Sequence, residues 1–152
     1  MLLAAAGDAM GYKNGSWEFN YSSTLIHKEM MAMTNNKGPL HLKLNLDWRY
    51  SDDTVMHIAT AQGLVQSNTK EEINVVSKRV AKEYKKCSKC MGGRAPGKTC
   101  MKTLSIIDEE ASNWNKIPYS QLKGGGCGAS MRAACIGLFY RKDVAKLVGV
   151  TI

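Results

Sequence analysis

Apolar residues return at helical spacing in several separated stretches of this chain, and that periodicity predicts an all-α protein. The clearest stretch is Ile73, Val76, Val80, Tyr84 and Cys87, an amphipathic stripe opened by Glu71-Glu72 and rich in lysine towards its end. Val55, Ile58, Ala61 and Val65 predict a helix over 54–66, and the Ala-rich opening predicts one over 2–10. Met30, Met31 and Met33 mark a short helix after Thr24, ended by Asn35-Asn36-Lys37-Gly38-Pro39. Further helices are predicted over 99–108, through Met131, Ala134, Cys135 and Leu138, and over 143–148. Turn signals separate them: Asn14-Gly15, where positive φ is tolerated, the glycine-rich 91–97, and a loop over 112–126 carrying Pro118. The one alternating stretch, His41 to Leu46, is a lone strand signal with no second strand to pair with. It is read as an extended connection.

With 152 residues the chain has the size of one domain, and its apolar residues are mostly Ala, Leu, Ile, Val and Met, which suit packed helices. The formal charge of +8 raises the question of a polyanionic partner. Much of the excess lies in Lys78, Arg79, Lys82, Lys85, Lys86, Lys89, Arg94 and Lys98, with no alternation of aromatics among them. Such a run reads as a solvated helix face, and no nucleic-acid partner is expected. Five cysteines and no signal peptide fit reduced thiols in the cytoplasm. Cys87-Ser-Lys-Cys90 has the spacing of half a zinc site, but no second such pair follows. No stretch approaches the ~20 apolar residues of a membrane span, so no membrane partner is expected either.

Chemistry concentrates in four places. Ser51-Asp52-Asp53-Thr54 sets two carboxylates and two hydroxyls where a polar stretch meets a helix. Oxygen donors of that kind suit a hard cation such as magnesium, while the same residues also suit an N-terminal cap. Glu18, between Trp17 and Phe19, is either a surface acid or a functional one. Gly92-Gly93-Arg94-Ala95-Pro96-Gly97 is a connecting turn, or a turn whose amides and fixed cation approach an anion. Gly124-Gly125-Gly126-Cys127-Gly128 leads towards Met131-Arg132 and a helix start, which is either a hinge or a phosphate cradle. It matches neither the P-loop nor the dinucleotide fingerprint.

Taken in order, these strings resemble the ADP-ribosylglycohydrolase family. Gly7-Asp8-Ala9-Met10-Gly11, Trp17-Glu18-Phe19, Trp48-Arg49 and Ser51 to His57 carry the likeness, continued by Gly93 to Gly97 and Gly125 to Leu138. The resemblance implies the N-terminal part of an orthogonal helical bundle and a glycosidase that releases ADP-ribose from arginine side chains. It implies a pair of magnesium ions in the complete protein, with Ser51, Asp52 and Asp53 as ligands. Asp52, Asp53 and the mobile acid Glu18 become the catalytic candidates. Gly93, Arg94, Gly97, Gly125, Gly126, Cys127, Gly128 and Met131 become those for the ADP-ribose. The implied partners are ADP-ribosylated proteins, and the complete protein is expected to be a monomer.

The chain departs from the family pattern in two respects. Family members are more than twice as long, and their second half brings an Asp-x-Asp-Ser/Thr set of metal ligands. No Asp-x-Asp triplet follows Asp53 here. The chain is therefore expected to be an incomplete domain over 1–152, lacking its C-terminal half. Such a fragment would hold magnesium weakly and leave an apolar face open. A non-catalytic ADP-ribose-binding module is the alternative reading.

Overall fold

A computed structural model describes residues 1–117 and 126–151 of the chain, with the side chains of the last two left out. Every regular element among the described residues is helical. They form two units, Met1–Ser51 and Asp52–Ile152. No helix among them is long and apolar enough to cross a membrane.

The first unit holds α1, Leu2–Tyr12, and α2, Ser23–Met33. Ser22 caps α2, its hydroxyl accepting from the Leu25 N–H. Between the helices, Asn14 and Gly15 take left-handed backbone (φ 54 and 85), the turn that Asn-Gly foretold. Asn14 also ties down a distant segment. Its amide nitrogen donates to the Asp47 carbonyl at 3.0 Å and its oxygen accepts the Arg49 N–H at 2.9 Å. Trp48 meets the edge of Trp17, ring centres 6.0 Å apart. Trp17 Nε1 donates to Glu29, which is also paired with Lys13. The segment running into Ser51 is thus irregular but pinned along its length.

The second unit contains α3, Asp52–Val65; α4, Ile73–Cys87; α5, Lys98–Ile106; α6, Ala134–Phe139; and α7, Val144–Thr151. Contacts between α3 and α4 run in opposite chain directions. A Cβ on Gly63 would sit 2.7 Å from the Val80 Cα, Thr60 meets Tyr84, and Met56 meets Cys87. The two helices are therefore antiparallel, and α3 crosses α4 at Gly63 because no larger residue leaves room. Leu64, Val76, Val80, Cys135, Ile136 and Tyr140 close the core between α3, α4 and α6, with Leu147 of α7 against it.

Two boundaries differ from the sequence expectation, each for a local reason. Helix α5 stops at Ile106 because Asn113 intervenes, its amide donating to the Ile106 carbonyl at 2.8 Å and accepting the Asp108 N–H at 3.1 Å. Asp108 then accepts from the amides of Glu110 and Ser112, building a turn in place of the last helical residues. Met131 lies in a 3₁₀ turn, Ser130–Arg132, with α6 starting at Ala134. Three lysines of α4 are engaged, Lys82 with Glu110, Lys86 with Glu83 and Lys85 with the Leu104 carbonyl, and Lys89 just beyond the helix pairs with Glu109.

Candidate active site

Ser51 is the last residue of the first unit and Asp52 the first of the second. Ser51, Asp52 and Thr54 are buried and Asp53 is half-buried. In the first unit the Ser51 N–H donates to Asp8 Oδ2 at 3.0 Å, across 43 residues of sequence. Both aspartates lie in the first turn of α3, where the helix dipole favours them. That dipole is worth about 0.3–1 kcal/mol, against several kcal/mol for burying a carboxylate. It is one contribution among several to holding Asp52 at 8 % exposure.

Within the second unit three of the sequence-predicted segments come together. The Asp52 N–H donates to the Arg94 carbonyl at 3.1 Å, so the first glycine turn is fastened to the start of α3. That turn is wound tightly: the Arg94 N–H donates to the buried Met91 carbonyl, and Gly93 and Ala95 both take positive φ (70 and 54). Only Gly93 adopts it without cost; Ala95 is strained beside the candidate site. Gly97 caps α5, and α5 carries Cys100, whose Sγ lies 3.3 Å from where a Cβ on Gly128 would stand. The second glycine segment therefore lies against the helix into which the first one leads. From there the Ser130–Arg132 turn packs on α3, and the Cys135 thiol reaches the His57 carbonyl at 3.9 Å.

The second segment departs from one expectation. Gly126 to Gly128 do not run straight into a helix. The Met131 N–H is spent on the Cys127 carbonyl at 3.1 Å, and the Ser130 hydroxyl donates to the same carbonyl at 2.9 Å. These bonds close a turn that precedes α6 by several residues, so the helix-terminus form of an anion site is not what α6 presents. Gly125 lies outside the described residues. Glu18 is exposed in the turn after Trp17, in the first unit.

The donor set fits magnesium in kind, being two carboxylates with serine and threonine hydroxyls and no nitrogen or sulfur. In number it is partial: among the described residues no three His, Cys, Asp or Glu side chains gather as a metal would need. The same finding leaves Cys87 and Cys90 without the partners of a zinc site. Sequence reasoning passed over Asp8 and Tyr84. Asp8 sat in plain view between Gly7 and Gly11, but only the fold brings it to Ser51.

An all-helical chain with an acid pair opening one helix and two glycine turns beside it belongs to the ADP-ribosylglycohydrolase family, whose family model matches residues 1–151. It is similar to the ADP-ribosylhydrolase ARH1 of Dictyostelium discoideum, 43% identical over 94% of this chain and 37% of that protein. A protein of Acanthamoeba polyphaga mimivirus, assigned in name only to the ADP-ribosyl glycohydrolases, is 32% identical over 96% of this chain and 29% of its own length. The chain thus spans about a third of the curated relatives it matches.

Proposed function

We propose that this chain carries the N-terminal portion of a magnesium-dependent hydrolase that cleaves the bond between ADP-ribose and arginine side chains of modified proteins. The observation that supports it most is the bond from the Asp52 N–H to the Arg94 carbonyl, which joins the acid pair to the first glycine turn. That bond satisfies one of the open amides at the start of α3 and at the same time sets the glycine turn beside the acid pair. Ser51, Asp52 and Asp53 would hold magnesium, which when bound polarises water and offsets negative charge near the sugar. The glycine segments at Gly93–Gly97 and Gly126–Gly128 would seat the ADP-ribose, with their lack of side chains letting backbone amides approach the phosphates. One of Asp52, Asp53 or Glu18 would accept a proton from the attacking water. That water would add to the anomeric carbon as the bond to the guanidinium nitrogen breaks, giving ADP-ribose, while the nitrogen takes up a proton to restore the unmodified arginine side chain.

Incubation of the chain with ADP-ribosylated arginine and magnesium, followed by chromatography of free ADP-ribose, tests this reading. Release that stops with chelator and falls at least about a hundredfold in Asp53→Ala is the predicted result. Release indifferent to both changes would contradict it. The second reading, a module that binds ADP-ribose without hydrolysing it, is favoured by the absence of a third metal-ligating acid among the described residues. Calorimetric binding of ADP-ribose with no turnover would decide for the module.

A further inference from the structure

Arg132 follows the second glycine segment and was given no role by the reading above. Its guanidinium lies over the Tyr84 ring, 4.8 Å from the centroid. Tyr84 is itself fixed. The buried Thr60 hydroxyl donates to the Met56 carbonyl at 3.0 Å, so at the 2.6 Å Thr60–Tyr84 contact the tyrosine hydroxyl is the donor. A residue of α3 therefore anchors a residue of α4, whose ring face supports the cation. The Arg132 carbonyl is engaged by the Cys135 thiol at 3.5 Å, so the backbone there is tied as well.

A guanidinium over a ring is held through its charge, and a cation–π contact does not use up its five N–H donors. Among the described residues the Arg132 side chain has no carboxylate partner and no hydrogen-bond acceptor. The ion pairs formed by the described residues of α4 use other cations, Arg79, Lys82 and Lys86, as does the Lys89–Glu109 pair just beyond that helix. Arg132 is half-buried, two residues beyond the Ser130 that closes the Cys127 turn, with Gly128 against Cys100 nearby. A rigid, planar, fork-shaped donor beside side-chain-free backbone is the arrangement that recognises paired phosphate oxygens.

We propose that Arg132, held over the Tyr84 ring, is a binding residue for the diphosphate of a nucleoside-diphosphate sugar seated on the second glycine segment, Gly126–Gly128. This rests on the ADP-ribose reading of that segment. Tyr84 is the positioning residue: it touches no ligand and acts by holding the guanidinium in place.

Calorimetry on the chain with ADP-ribose and, separately, with adenosine tests the assignment. Arg132→Met is predicted to weaken ADP-ribose binding about ten- to a hundredfold while leaving adenosine binding within twofold. Tyr84→Leu, which keeps the charge and removes its platform, is predicted to weaken ADP-ribose several-fold with the same indifference to adenosine. Should Arg132→Met melt below the assay temperature, Arg132→Lys carries the test. It retains the charge and loses the fork, and parity with wild type overturns the proposal. Wild-type binding of ADP-ribose with Arg132→Met unchanged overturns the Arg132 assignment alone, as does an equal loss for adenosine. No wild-type binding of ADP-ribose overturns the parent reading and this one with it.

Discussion

Burial pushes the Cys87 thiol up to about 11, with the nearby Cys90 adding to the shift and the Arg132 charge working against it. A thiol whose folded value is raised supports the fold fully below its ordinary value near 9 and loses that support as pH rises through about 11. At pH 8 Cys87 should react with a maleimide on the order of a hundredfold more slowly than an unperturbed thiol. The exposed Cys90 and Cys127 should be labelled first, as peptide mass spectrometry over a time course would show. Early labelling of Cys87 would mean that α4 opens at its C-terminal end. The buried Tyr140 hydroxyl makes a separate point, having no hydrogen-bond partner among the described residues. An unsatisfied buried hydroxyl costs about 1–3 kcal/mol, so Tyr140→Phe should be at least as stable as wild type. A thermal melt lowered by that substitution would show that the hydroxyl has a partner after all. At this scale much was legible in the sequence: Asp52 and Asp53 open a helix, and Arg94 stands in a glycine turn. The Asp8 contact to Ser51 and the Tyr84 support under Arg132 were not. Both join residues more than forty positions apart, and no local pattern reports such a meeting.

Among the elements, the helices of the second unit follow their apolar periodicity closely, with α4 beginning and ending where its stripe does. What periodicity cannot report is how two stripes approach. Gly63 belongs to no apolar stripe, yet it is the point where Val80 reaches the helix backbone. Gly63→Ala would force a methyl group against the Val80 Cα at 2.7 Å, with no flexible side-chain end to yield. A loss of about 1–3 kcal/mol is predicted from urea unfolding, because overpacking of a close backbone contact costs that much. An unchanged midpoint would mean that α3 and α4 are not packed as described. The end of α5 and the turn at Cys127 show the other limit of sequence reading. Asn113 and Ser130 redirect the backbone through side-chain hydrogen bonds, and a hydrophobic pattern carries no trace of them.

At the scale of the whole molecule, the chain belongs to the ADP-ribosylglycohydrolase family and spans about a third of each relative's length. Several large apolar side chains stand exposed, among them Leu2, Leu3, Val65, Leu138 and Val144. The candidate residues are found in both units. Asp52, Asp53 and both glycine segments fall in the second unit, whereas Glu18, Asp8 and Ser51 fall in the first. All-α architecture could be read from periodicity, and the candidate site from its residue strings. The division into units could not, because it turns on long-range contacts such as those of Asn14 with Asp47 and Arg49. Titration of the chain with magnesium in a calorimeter, wild type beside the Asp52→Asn, Asp53→Asn double variant, tests the central claim most directly. Saturable binding by wild type, weakened more than about tenfold in the variant with its thermal melt preserved, is the predicted result. Magnesium bound equally by both proteins, or by neither, would contradict the acid pair as a seat for the cation.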